Sequence, residues 1–357
     1  MELKAKVDSY VVKSPVHFPT DINLLWDAMR KIITLSSKAS GKVQYSGWRQ
    51  SSYNLSKVKS LLRKITNMKH STSKNEEKKK EREALIVEAY KVYMDVSTSY
   101  IEKAESTVKD LRTGKIVSKH TSVTAYLSAC LICNDIENYI KDARHQLDLI
   151  ERRVMHGEKI PHDEKLFSLF ERHVEWISKG KAGVPQELGV RLCVVEDQYG
   201  FILHHRVMLK ETDEKVTIPI IWDTKNLFPG LQQCSFDKGF YSPENKAAAK
   251  ELIETVIMPK KGRLNKKEQE EEYSESFKKA KRAHSGIESA INGLTHTGLS
   301  KCRDKKKSGH ERYVGFGIVA RNLHKLGDVI LKQEEKTRKH KEKYRKTQEE
   351  NRAKLAA

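Results

Sequence analysis

The chain has 357 residues, 68 Lys and Arg against 48 Asp and Glu, and a formal net charge of +20, a length that suits two or three domains with a sizeable core. Apolar residues make up 38% and charged residues 32%, the composition of a globular chain with a heavily charged surface. No apolar run approaches the roughly 18–20 residues that span a bilayer, and Met1-Glu2-Leu3-Lys4 does not begin a signal peptide, which argues against membrane-spanning and exported classes.

Residues 3–12 alternate and become β-branched at Val11 and Val12, the pattern of a strand that carries Asp8. After Pro15 and Pro19, Thr20 and Asp21 offer N-caps for a helix beginning at Ile22. From about 54 to 156 the pattern is helical. Leu55, Val58, Leu62 and Ile65 form one stripe and Leu85, Ala89, Val92 and Val96 another, continued by Ile101, Ala104, Val108 and Leu111 up to Gly114. Between the first two stripes, Lys74-Asn-Glu-Glu-Lys-Lys-Lys-Glu-Arg82 reads as a solvated helix start or loop. A long helix runs from about Ser122 and ends near Gly157.

The pattern changes at Gly180-Lys-Ala-Gly-Val-Pro185. Leu188, Val190, Leu192 and Val194 alternate, Asp197-Gln-Tyr-Gly200 turns, and residues 201–207 return, a β-hairpin. A helix over about 216–228 precedes a short strand through Cys234-Ser-Phe236 that ends at Asp237. Ser242-Pro243-Glu244 is a strong helix start, and that helix leads to a final strand over 255–258. A basic loop, Pro259-Lys-Lys-Gly-Arg263, precedes a long helix with Phe277, Ala280, Ile287, Ile291 and Leu294 on one stripe. Another helix spans about 313–331, and the tail beyond Lys332 is a solvated helix or disordered arm. With the helical block set aside, three strands are followed by alternating helix and strand, an α/β order that fits a mixed sheet flanked by helices.

Five cysteines in a chain this long argue against a disulfide scaffold and for a reducing cytoplasm. The positive charge points to nucleic acid, because each neutralised phosphate releases counterions. Solubilising lysine is the plainer alternative. Cys130-Leu-Ile-Cys133 has zinc-ligand spacing but no second pair at a matching distance, and reads as structural. Gly315-Phe-Gly-Ile-Val-Ala320 matches a dinucleotide fingerprint by letter without a preceding strand, and reads as helix packing. His204 and His205 read as a strand-surface pair. Among the acids, Asp8 lies on the first strand, Asp237 ends a later one, and Glu288 sits mid-helix beside the apolar stripe. Taken singly, each is more often a cap or surface charge; together they could make a metal-binding cluster.

The short motifs Val7-Asp8-Ser9, His17-Phe-Pro-Thr-Asp21, Ile150-Glu-Arg-Arg-Val154, Gly157-Glu-Lys-Ile-Pro161 and Glu175-Trp-Ile-Ser-Lys-Gly-Lys-Ala-Gly183 occur in that order. Phe236-Asp-Lys-Gly-Phe240, Pro259-Lys-Lys-Gly262, His284-Ser-Gly-Ile-Glu288 and Ala320-Arg-Asn-Leu323 follow. In them the chain resembles the DDE transposases of bacterial and archaeal insertion sequences, in the group outside the named insertion-sequence families. The resemblance covers almost the whole chain. It implies a ribonuclease H-like mixed sheet flanked by helices, with a large all-α insertion after the first strand. The implied divisions are a first strand over 1–23, a helical insertion over 24–175, the rest of the catalytic core over 176–331 and a charged tail over 332–357.

Residue by residue, the resemblance makes Asp8, Asp237 and Glu288 the three acidic metal ligands. It implies two Mg²⁺ or Mn²⁺ ions per site, double-stranded DNA as partner in the form of transposon ends and target, at least a dimer on DNA, and a cytoplasmic, nucleoid-associated location. Magnesium-type ions take oxygen ligands, and two of them can serve both sides of an in-line phosphodiester displacement. His284, one turn from Glu288, could orient it or touch the scissile phosphate; a packing role is the plainer alternative. Lys260, Lys261, Arg263, Lys266 and Lys267 would contact the DNA backbone. The sequence departs from the family where related enzymes carry tyrosine, arginine and lysine around the glutamate: His284 stands four before Glu288 and Thr295 seven after. A substantial helical region normally precedes the first acid, whereas Asp8 is the eighth residue of this sequence. The reading is therefore of a transposase lacking its N-terminal DNA-binding region, with a non-catalytic DNA-binding relic as the alternative.

Overall fold

A computed structural model describes residues 2–70, 75–178 and 186–356. The pattern break at 180–185 and the position of Lys74 lie outside the described residues. The chain opens with β1 (Leu3–Lys13) and continues through four helices, α1 (Asp21–Lys42), α2 (Ser51–Lys69), α3 (Glu76–Arg112) and α4 (Val123–Val154). Next come β2 (Glu175–Ser178), β3 (Gln186–Asp197), β4 (Ile202–Met208), α5 (Asp213–Leu227), β5 (Leu231–Phe236), α6 (Pro243–Leu252) and β6 (Thr255–Ile257). The chain closes with α7 (Lys266–Tyr273), α8 (Glu275–His284), α9 (Ile287–Leu294) and α10 (Lys306–Ala356). Among the described residues no helix is long and apolar enough to cross a membrane.

Two compact units result, one of residues 16–172 and one joining residues 1–15 to 173–357. The first is all helical. Thr20 caps α1, its hydroxyl accepting from the Asn23 N–H at 3.3 Å. Asn75 caps α3 by accepting from the Glu77 and Lys78 N–H groups. The 3–4 spacing of Leu25, Met29, Ile32 and Ile33 buries one face of α1 completely. Trp48, Tyr93, Ile101, Leu111, Ile136 and Ile150 belong to the same core. Trp48 keeps its indole N–H satisfied by donating to Thr107 Oγ1 at 3.0 Å.

The second unit is α/β, built on a mixed six-stranded sheet in the order β2-β3-β1-β5-β6, with β4 also paired to β3. β1 runs antiparallel to β3, and β3 antiparallel to β2 and β4; β1 with β5, and β5 with β6, run parallel. Side chains alternate across β1. Ala5 and Val7 join Val195, Val216, Ile220 and Phe236 on the face covered by α5 and α6. Tyr10 and Val12 join Leu192, Val194, Ile287 and Leu294 on the face covered by α9 and α10.

Several elements differ from the sequence reading. The four residues of β2 are too few to show a period. The long helix expected after the basic loop is three: Ser274 ends α7 and caps α8, accepting from the Phe277 N–H at 3.3 Å, and Ser285-Gly286 separates α8 from α9. Glu288 therefore lies in the first turn of α9 rather than mid-helix. The helix expected over 216–228 starts at Asp213, and the one expected over 313–331 extends from Lys306 through the charged tail.

Candidate active site

β1 and β5 run side by side and parallel, with Val7 level with Phe236. β5 ends there, and the next residue on each strand is an acid, Asp8 and Asp237. The chain turns sharply after Asp237 because Phe240 is buried, packing its ring 5.6 Å from that of Phe236. Alternation along β1 puts Asp8 on the same face as Tyr10, towards α9. The short α9 presents Glu288 at its amino end. The carboxyl end of a parallel strand, where the neighbouring pairing switches to antiparallel, is a place where open α/β sheets bind ligands.

The electrostatics record how these groups meet. Burial pushes the Asp8 carboxyl up to about 6; the Ser9 N–H, donating to Asp8 Oδ1 at 2.7 Å, pulls the other way, and the Asp237, Asp213 and Glu288 carboxylates add to the rise. The charges of Asp237 and Glu288 are thus felt at Asp8, beside the end of β5. Asp213 joins them as a fourth. Its Oδ1 accepts from the Ser9 hydroxyl at 2.6 Å, and its Oδ2 lies 3.1 Å from where a side chain at Gly239 would begin. Sequence reasoning missed Asp213 because it sat just outside the expected helix, and an acid in a first helical turn is ordinary. The only available signal was the helix start itself.

His284 closes the α8 side. Its Nδ1 lies 3.0 Å from Ser235 Oγ. Burial holds its pKa below the usual histidine value, with Asp237 and Glu288 drawing it up and Lys6 drawing it down, so the ring is neutral at pH 7. The Lys6 ammonium pairs with the buried Glu196 at 2.9 Å and runs beneath Gly286, where a Cβ would lie 3.1 Å from Nζ. A side chain at Gly286 would press on Lys6, which would have to shift by a few tenths of an ångström.

Among the described residues, no three His, Cys, Asp or Glu side chains are closed into a metal-holding group. The fit to a cation is one of chemistry. Carboxylate oxygens are the donors hard divalent ions prefer, and four carboxylates gathered without a compensating cation favour one electrostatically. Of the basic residues, Lys260 is committed elsewhere: its ammonium pairs with both Glu268 oxygens at 2.8 Å, and its backbone N–H donates to Glu272 at 2.7 Å. Lys261, Arg263, Lys266 and Lys267 are exposed in and after the same loop.

The remaining motifs lie on other elements. Cys130 and Cys133 are on α4 in the helical unit, and burial pushes the Cys133 thiol up to about 11. Gly317 lies inside α10 against Leu299, where a Cβ would come within 2.5 Å. His204 and His205 are neighbours on β4, the former 3.8 Å from Asp223. Comparison with protein-family models, curated proteins and solved structures finds no match to this chain.

Proposed function

We propose that the protein is a DDE-type transposase that cuts DNA at transposon ends and transfers the freed strand to a target, with a ribonuclease H-like core into which the helical unit is inserted after β1. The observation that carries this reading is that β1 and β5 run parallel with Val7 level with Phe236, so that Asp8 and Asp237 follow on adjacent strands, with Glu288 near enough that its charge is felt at Asp8. Sheet order supports it: β1, β3 and β4, with the short β2 also on β3, make an antiparallel part, and β5 and β6, each preceded by a helix, add to β1 in parallel. Perturbed acids at a strand's carboxyl end are a mark of functional sites.

Asp8, Asp237 and Glu288 would hold divalent ions of the Mg²⁺ or Mn²⁺ class. Such ions supply Lewis-acid stabilisation of charge on the phosphodiester oxygens and lower the pKa of an attacking hydroxyl. The remaining work falls to the chain. Lys261, Arg263, Lys266 and Lys267 bind backbone phosphates and fix the DNA path without reading sequence. Neutral His284, tethered to Ser235, stands beside Asp237 and Glu288, where it orients Glu288 or donates to the scissile phosphate. Asp213 holds Ser9, and through it the backbone that positions Asp8. The reading also takes double-stranded DNA as partner, at least two copies on paired ends, and a cytoplasmic, nucleoid-associated setting.

The test uses a supercoiled plasmid bearing the DNA that flanks the coding sequence in its genome. Wild type nicks it only with Mg²⁺ or Mn²⁺. Asp8→Asn, Asp237→Asn and Glu288→Gln each lower the rate by more than about 100-fold, the upper end of what losing an outer-shell metal partner costs, while still binding DNA. Wild type that binds the plasmid but leaves it uncut with either ion would establish a DNA-binding protein without nuclease activity.

A further inference from the structure

α10 packs one face on its own unit and leaves the other open. On the packed side His310, Val314 and Ile318 are buried, and the Asn322 side chain exchanges two 2.9 Å hydrogen bonds with the Ile202 backbone. On the opposite side Phe316, Val319, Leu323, Leu326 and Ile330 are exposed, between 45 and 68%. Their spacing is three, four, three, four. That is the a/d spacing of a heptad, whose knobs are filled by the holes of a second helix with the same repeat. The stripe runs along about 21 Å of helix.

The flanks of the stripe say which helix. Gly315, Ala320, Asn322, Gly327 and Val329 border it, and none is charged. Two copies of a chain carrying +20 repel one another, so a face that meets its own copy must be free of like charge, as this one is. A charged partner, by contrast, would find nothing here to pair with. The other exposed apolar run on a helix, Val123, Leu127 and Leu131 of α4, is spaced by fours and offers no a/d seam.

We propose that α10 pairs with α10 of a second copy of this chain along the seam from Phe316 to Ile330, antiparallel and two-fold symmetric. Continued at the same spacing, the seam meets Gln333, Thr337 and His340. A parallel pair would stack these polar residues on themselves and set Lys336 against the partner's Lys341. An antiparallel pair centred between Leu323 and Leu326 sets Val319 on the partner's Ile330 and Leu323 on the partner's Leu326. The two charged tails then leave in opposite directions. Such an interface is isologous and closed, and it requires no DNA.

Light scattering and sedimentation equilibrium on the DNA-free full chain test the pairing. Wild type should show twice the chain mass of 41.1 kDa. Leu323→Glu with Leu326→Glu should halve it, while far-UV circular dichroism keeps the signature of a folded helical chain, because both side chains are exposed in the single copy. Leu326→Lys alone should raise the dissociation constant at least tenfold, and Leu131→Glu on α4 should leave it alone. On mixing and oxidation, Val319→Cys and Ile330→Cys chains should cross-link to each other. A wild type that remains monomeric to high concentration, or a dimer that survives the paired glutamates, overturns the proposal. Cross-linking of Val319→Cys only to itself overturns the antiparallel arrangement. None of these readouts depends on nuclease activity, so a failure here leaves the reading of the acidic site where it stands.

Discussion

The two units differ in one group of acids: both hold matched pairs, the sheet unit's Lys6 with Glu196 among them, but the sheet unit also holds carboxylates left together. In the helical unit, acids and bases are matched: Arg152 bridges Asp148, Glu158 and Glu164, Arg144 grips both oxygens of Glu105, and Arg172 closes on the buried Asp142. In the sheet unit, four carboxylates are collected at the end of β5, and among the described residues none of them has an ion-pair partner. Matched pairs of this kind contribute modestly to stability and are an ordinary way for a folded surface to carry many charges. An unmatched acidic cluster costs stability, and folds retain such costs mostly where chemistry repays them.

The comparison can be broken at Asp8 most forcefully. Its folded pKa of about 6 lies above the ordinary 3.8, so the folded state holds the proton more tightly than the unfolded one. The resulting stabilisation is fully present below pH 4 and lost as pH rises to about 6. Without metal, Asp8→Asn should therefore gain on wild type by up to about 3 kcal/mol between pH 4 and pH 6, and no further above it. Denaturant melts in EDTA across that range measure it, and a flat difference would mean that Asp8 is not strained.

The matched side predicts the opposite sign. Arg172→Ala strands a carboxylate that is only 9% exposed, and should destabilise the helical unit by about 1–3 kcal/mol at neutral pH. A variant as stable as wild type at pH 7 would place Asp142 in water.

The smallest effect, and the sharpest, is at the exposed Asp237. Removing its charge relieves Asp8, so Asp237→Asn should melt about 1 °C above wild type in EDTA. It should then gain less from excess Mn²⁺, where an intact site saturated a hundredfold over Kd gains about 2.7 kcal/mol. Equal metal-induced shifts in the two proteins would separate Asp237 from the cation.

Where a local rule decided the outcome, the sequence was readable. β-branched alternation placed β1 and the β3–β4 hairpin, and Ser242-Pro243 opened α6 with its hydroxyl accepting from the Asn245 N–H at 3.1 Å. The position of Asp8 within β1 and of Asp237 just after β5 followed from the same patterns. What could not be read depended on contacts distant in sequence. A single apolar stripe runs through Phe277 and Ile287, yet the helix breaks at Ser285-Gly286, where Lys6 passes beneath. Asp213 looks like any first-turn acid until the Ser9 hydroxyl, 204 residues away, is found bonded to it. Glu175 to Ser178 becomes a strand only because β3 offers an edge.

The placement of the helical unit between β1 and β2 also sets an order of events during synthesis. β1 cannot pair with β5 until Cys234, the partner of Ala5, has been made, 234 − 5 = 229 residues later. At the roughly 5–20 residues per second of translation, that is a wait of about 11–46 s. Residues 16–172 meanwhile contain all the partners of their own core and can fold as they emerge. The strand bearing Asp8 is thus among the first parts translated, yet it finds β3 only once residues 189–197 are made and waits longer still for β5. Glu288 follows 51 residues after Asp237, so a nascent chain passes through most of its length before the four acids can meet.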